Sequence, residues 1–410
     1  MDLQRSSGVY DAIVVGARCG GSPTAMLLAR EGYKVLLVDR ATFPSHIPHG
    51  HFIHKDGPRR LREWDLLDEI VKAGCPPATT STFRIAGNIL RGRDLVLNGI
   101  AFAYAPRRDV LDHILVKGAL KAGAEYRERF SVQGLLVDGD SIVGVKGRDN
   151  ASMNMVTEKA RIVIAADGRN SSVARFVKAA QYDVRSKLMF YYFSYWSGVP
   201  GDGLELTLLD DRRIILAHPT TDQLFAVFAG WGIEQFQGVR GDIEKAFMDT
   251  IRQEPELFER LHNGKREERF YGASDLPNFF RKPFGDGWAL VGDAGYHKDP
   301  YLALGVSDAF RDAELLAHAI HKSFSGDGTM SDCLAEYERQ RNELAKPEYE
   351  QNVRSASFEP PPPDMMHLLA ALQGNQEDTN RFFMAREGMI PYKEFFNPEN
   401  LRRIANTKAN

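Results

Sequence analysis

Residues 10–40 read YDAIVVGARCGGSPTAMLLAREGYKVLLVDR. Asp11 to Val15 is a short apolar run suited to a buried parallel strand. A glycine-bearing turn follows, then a stretch in which Ala25, Leu28 and Ala29 recur at helical spacing. Gly32 closes that helix, KVLLVD is a second buried strand, and Asp39 ends it 23 residues after Gly16. Each part has a mechanical purpose in a strand–helix–strand unit for a dinucleotide. Gly16 permits the tight turn, and Gly21 lets the helix pack closely on the strand. The helix N-terminus offers N–H groups to a pyrophosphate, while Asp39 accepts from ribose hydroxyls. A lone glycine pattern says little; strand, turn, helix, strand and terminal acid in register say much more.

Arg18 stands where the backbone of such a turn normally approaches the phosphates with no side chain in the way. Its side chain either folds back over the phosphates as a charged partner or points into solvent and merely fits. The turn is modified in both cases and destroyed in neither.

The 410 residues suit two or three domain-sized units, or one large α/β body with a second lobe. A hydrophobic content of 43% with 26% charged residues belongs to a chain with a real core. Net charge is −3 with both signs spread along the chain, which favours neither a nucleic-acid nor an anionic-membrane partner. No apolar run approaches the roughly 18 residues of a membrane span. The opening MDLQRSSGVY lacks the apolar core of a signal peptide. Cys19, Cys75 and Cys333 form no disulfide framework or zinc spacing, so a cytoplasmic location is expected.

Two later motifs decide which dinucleotide is expected. RIVIAADGRNSSVAR at 161–175 is an apolar strand ending in Asp167-Gly168. WALVGDAGYHKDPYLALGVSDAFRDAELLAHAI at 288–320 is a strand ending in Gly292-Asp293, followed by Pro300, Gly305, Ser307 and a long helix. With residues 10–40, these motifs resemble the FAD-dependent aromatic hydroxylase superfamily, the single-component flavoprotein monooxygenases built like p-hydroxybenzoate hydroxylase. The likeness covers residues 10 to about 345 and extends to the geranylgeranyl-reductase-like and flavin-dependent halogenase branches.

The resemblance implies an α/β fold: a Rossmann-like FAD-binding domain with an inserted antiparallel β-sheet substrate domain and a C-terminal helical tail. The nucleotide part would occupy 8–84, 107–182 and 281–345, the substrate part 85–106 and 183–280, and the tail 346–410. FAD would be held at Gly16, Ala17, Arg18, Cys19, Gly20, Gly21, Asp39 and Arg40. Arg108, which with Leu111 resembles the family's R-x-x-L, Val132 by the adenine, and the Asp167-Gly168 motif would add contacts. Gly292 and Asp293 would reach the ribityl or ribose hydroxyls, and Pro300 would lie against the isoalloxazine with a part in catalysis. Leu304, Gly305, Val306 and Ser307 would bring backbone N–H groups near the flavin, where charge develops on reduction.

Four positions depart from the family pattern. Arg18 replaces a glycine, Tyr296 stands where His is usual with His297 next to it, and Leu304 and Ser307 replace Gln and Asn. There is no second glycine-rich unit for nicotinamide, so NADH or NADPH would bind transiently.

Between the last two motifs, residues 187–231 alternate and are rich in aromatic and β-branched residues. They predict antiparallel strands with turns at Pro200-Gly201, Asp210-Asp211 and Thr221-Asp222. The family places its substrate over such a sheet. Phe190, Tyr192 and Phe228 are candidate aromatic contacts set against plain core, and His218 is the polar candidate. HIPHGHFIHKDG carries His46, His49, His51 and His54; with no carboxylate or cysteine among them a metal is disfavoured, the stretch reads as a flavin-side or nicotinamide-side loop or as a solvated one, and His51 is its candidate base. After PPPP at 360–363, DMMHLLAALQG and FFNPENLRRIA predict short helices packed on this subunit or on a partner in a homodimer.

The leading expectation is therefore an FAD-dependent monooxygenase that hydroxylates an aromatic, phenolic molecule with NAD(P)H and O2. A reductase of prenyl double bonds comes second. A halogenase comes third, because W-x-W-x-I-P and a catalytic lysine are missing.

Overall fold

Runs of aliphatic residues place four parallel strands side by side in the computed structural model, which describes residues 4–5, 8–47 and 49–407. Their order is Val35–Val38, Tyr10–Val15, Met155–Ala165 and Trp288–Leu290. Val15 lies opposite Val38 and Ala165, and Ala165 opposite Leu290, so all four strands end in step. Gly16, Asp39, Asp167 and Gly292-Asp293 follow those ends, at the edge where parallel sheets take ligands. Ile13, Leu36, Val38, Val163, Ala165 and Leu290 form the core around these strands. Helix Gly21–Arg30 packs against helices Arg108–Lys121 and Gly305–Phe324.

The chain divides into two units. The nucleotide unit comprises Met1–His49, Arg108–Ser186 and Pro277–Gln351; the sheet unit comprises Gly50–Arg107, Lys187–Leu276 and Asn352–Asn410. Residues 50–84, expected in the nucleotide part, belong to the sheet unit. Thr80–Ile85 pairs in parallel with Gly203–Leu209, and Ile53 bridges Tyr104. A pairing across some 120 positions has no local signal.

The sheet unit has strand order Lys265–Arg266, Met189–Ser197, Phe225–Gly232, Arg213–Pro219, Gly203–Leu209, Thr80–Ile85 and Asn88–Gly92, with Tyr271–Ala273 also beside Met189–Ser197. Apart from the parallel pair, its neighbours run antiparallel. Period-2 alternation gives this sheet two different faces. Phe190, Trp196, Val227, Ala229 and Trp231 share a core with Val239, Phe247, Ile251, Leu257 and Leu261 of the covering helices. Tyr191, Phe193, Tyr195 and Ala226 belong to the opposite face.

The tail packs on its own chain. A Cβ added to Gly92 would sit 2.5 Å from the Phe383 ring, and Arg93 N–H donates to Asn380 Oδ1 at 2.9 Å. Helix Met330–Ala356 continues through Pro347, past the expected boundary at 346. Pro362 is extended, whereas Pro363 opens the next helix, where its missing N–H costs nothing. The last three residues of the expected tail lie outside the described residues. Among the described residues no helix is long and apolar enough to cross a membrane.

Candidate functional site

The turn after Tyr10–Val15 is shaped by two glycines. Gly16 has φ +105°, and a Cβ there would lie 2.4 Å from the Ala166 carbonyl oxygen. At Gly21 a Cβ would lie 1.8 Å from the Gly16 oxygen, whereas at Gly20 the nearest atom is 3.6 Å away. The demand for glycine therefore falls on positions 16 and 21. Asp39 is buried and closes the turn: Ala17 N–H donates to Oδ2 at 2.7 Å and Ala41 N–H to Oδ1 at 2.8 Å. A carboxylate has further acceptor sites for ribose hydroxyls. Arg40 next to it is exposed.

Arg18 reaches across to helix Arg108–Lys121 and to the loop after Asp39. Nη1 donates to Asp112 Oδ2 at 2.7 Å, Nη2 donates to Ser45 Oγ at 3.3 Å, and the guanidinium lies 5.1 Å from the Phe43 ring centroid. Asp112 is wholly buried and also receives Arg108 through two nitrogens at 3.0 and 3.2 Å. Cys19 Sγ is 3.6 Å from the same carboxylate, and burial pushes its thiol up to about 12, which makes it inert packing. Asp112 and Ser45 escaped sequence reasoning; the signal for Asp112 is its i+4 spacing from Arg108. His49 is reached by solvent yet crowded by neighbouring atoms. Desolvation, then the cations of Arg108, Arg169 and Arg18, hold its imidazole down to about 3.

Asp167 Oδ2 accepts from Ser172 N–H at 2.7 Å and Val173 N–H at 3.3 Å. Its Oδ1 is buried with no hydrogen-bond partner among the described residues. Gly168, at φ +79°, has open space where a Cβ would go, and so does Gly305. Asp293 and Pro300 are exposed within an otherwise buried stretch. Leu304 precedes helix Gly305–Phe324 with no side-chain cap, while Leu304, Val306 and Ser307 are buried around its first turn. Tyr296, in the family's His position, is stacked 4.9 Å from Phe280, and its hydroxyl accepts from Arg311 at 2.6 Å. It is a packed member of a buried ion cluster with Asp308 and Lys298. Val132 is half-buried in strand Phe130–Asp138 beside a bulge.

In the sheet unit His51 and His218 meet, ring centroids 5.3 Å apart, with Tyr195 and Phe228 stacked beside them and Phe52 tilted against His218. Phe228 stacks on Phe193 at 4.6 Å. Phe190 and Tyr192 do not join them. Their positions have the opposite parity on the strand, and they pack against Trp231 on the helix-covered face. They therefore cannot line one cavity with His218 and Phe228. The four loop histidines also part company: His54 pairs with Glu387 of the tail at 2.7 Å. Among the described residues no group of three or more His, Cys, Asp or Glu could hold a metal ion.

Residues 9–352 match the family described as FAD binding domain. A 1H-pyrrole-2-carbonyl-[peptidyl-carrier protein] brominase of Pseudoalteromonas luteoviolacea is 24% identical, over 78% of this chain and 79% of its own. A digeranylgeranylglycerophospholipid reductase of Methanocella arvoryzae is 24% identical, over 84% and 86%. The solved flavin-dependent brominase Bmp2 shares the fold with a TM-score of 0.80 at 18% identity, over 98% of each chain. The residues present fit FAD. Two obligatory glycines bring a helix N-terminus and backbone N–H groups to the strand ends, Gly168 and Gly305 leave open space, and Asp167 Oδ1 is an acceptor awaiting a donor.

Proposed function

From the premise that the chain belongs to the FAD-binding domain family, we propose that it is an FAD-dependent monooxygenase. Its substrate would be a phenolic small molecule, and its reductant NADH or NADPH. The observation that carries this reading is an imidazole set in an aromatic face. His218 Nδ1 lies 3.2 Å from the Pro219 carbonyl, which accepts only from an N–H. Nδ1 thus holds the proton and Nε2 is left as an acceptor. That Nε2 is buried and has no hydrogen-bond partner among the described residues. Burial pushes the ring down to about 4, so it is neutral at pH 7 and keeps its lone pair.

An unsatisfied buried acceptor costs about 1–3 kcal/mol. A phenol O–H against Phe228 and Tyr195 removes that cost, and a prenyl double bond does not. The pyrrole of the brominase would offer an N–H as well, but the rings on this face are accompanied by two imidazoles suited to a phenol. The reductase reading keeps support from the likeness to the archaeal enzyme over most of both chains.

Bound FAD would supply hydride acceptance and oxygen activation. The chain's own work is binding and orientation. Asp39 and Asp293 accept from the ribose and ribityl hydroxyls, and the uncapped N-terminus of helix Gly305–Phe324 presents N–H groups to developing negative charge. His218 Nε2 takes the phenol hydrogen bond, raising electron density on the ring, while the aromatic face excludes water.

The test is NAD(P)H oxidation screened over a panel of phenols. Slow oxidation alone, with clear acceleration and oxygen uptake on adding the right phenol, is expected. Anaerobic reduction of an alkene with no oxygen demand would move the chain to the reductase reading.

A further inference from the structure

We infer that Arg18 is a guanidinium arm for the pyrophosphate of bound FAD, and that Asp112 is the positioning residue that holds it there. The turn tolerates a side chain at this point, because the close approaches are at Gly16 and Gly21. Arg18 is tied to three elements at once: its own turn, helix Arg108–Lys121 through Asp112, and the loop after Asp39 through Ser45 and Phe43. Only two of its five N–H donors are used in these bonds. Its side chain keeps 24% exposure while Asp112 has none.

Asp293 acts on Arg108, and Asp112 is one carboxylate shared by Arg108 and Arg18. Arg169 lies close enough, with both of them, to act on His49. The guanidiniums of Arg18 and Arg108 beside this turn suit a dianionic ligand, and a pyrophosphate has that charge and acceptor oxygens for their remaining donors.

The test is equilibrium binding of FAD, riboflavin and ADP to the full chain after flavin removal. In Arg18→Gly, which restores the common glycine, the dissociation constants for FAD and ADP should rise together by roughly ten- to hundredfold, and that for riboflavin should not change. Arg18→Lys should recover part of the loss. If Arg18→Gly does not fold, Arg18→Gln, which keeps the stem and a donor for Asp112, should show the same ligand pattern. Unchanged FAD binding, or equal weakening of riboflavin and FAD, would overturn the proposal. It rests on FAD binding alone and not on the oxygenase reading, so this ligand pattern and the product assay fail separately.

Discussion

The strand ends of the nucleotide unit and the aromatic face of the sheet unit are built on different principles. At the strand ends backbone approaches backbone: Gly16 and Gly21 stand where any Cβ collides with a carbonyl, and Asp39 ties the turn through main-chain N–H groups. At the aromatic face side chain meets side chain, and His51, Tyr195, His218 and Phe228 gain their neighbours from strand register and parity. The first kind of construction admits no side chain at Gly16 or Gly21 and suits a chemically constant group. The second can be repacked, and it is where relatives with different substrates can diverge.

Gly21→Ala is the severest way to strain this contrast. With a Cβ 1.8 Å from the Gly16 oxygen, the helix must move. A loss of about 3 kcal/mol together with loss of bound flavin is expected, read by thermal melting and the ratio of flavin to protein absorbance. Gly20→Ala, with 3.6 Å of clearance, should stay within about 0.5 kcal/mol of wild type. Similar behaviour of the two variants would contradict the backbone account.

The same distinction explains what could be read from the amino-acid order alone. The turn, both strands, Asp39 and Asp167 are legible because each is tied to backbone geometry within a short window. The placement of Phe190 and Tyr192 is not. Alternation shows that residues 190 and 191 point apart, but which face helices Ile243–Ile251 and Pro255–Asn263 cover is decided by segments some 50 residues later. Arg18 and Asp112, 94 positions apart, meet only through helix packing. The transfer of residues 50–84 to the sheet unit likewise depends on a distant strand partner.

The sheet unit should reveal its buried charges through pH. Burial alone would raise the Glu387 carboxyl, but the His54 partner brings it down to about 2. A depressed carboxyl contributes stability that is complete above its ordinary value near 4.5 and lost as pH falls toward 2. Glu387→Gln should cost about 3 kcal/mol near neutrality and flatten the acid limb of a denaturation series. An unchanged acid limb would show that this contact does not hold the tail.

His218 works on a higher window. Its ring is pushed down to about 4 by burial, so the unfolded chain binds the extra proton as pH falls below about 6.5. Stability is complete above that value and declines through pH 4, by up to about 3 kcal/mol. His218→Phe should remove this slope and abolish the acceleration by phenols. Persistence of the slope would place the titration elsewhere, and persistence of the acceleration would release His218 from its role.

The destination of oxygen tests the central claim most directly. With labelled O2, NAD(P)H and the phenol that best accelerates oxidation, the account predicts one labelled oxygen atom in the product and the other in water. An unlabelled product, or a halogenated or saturated one formed from the same chain, would contradict it.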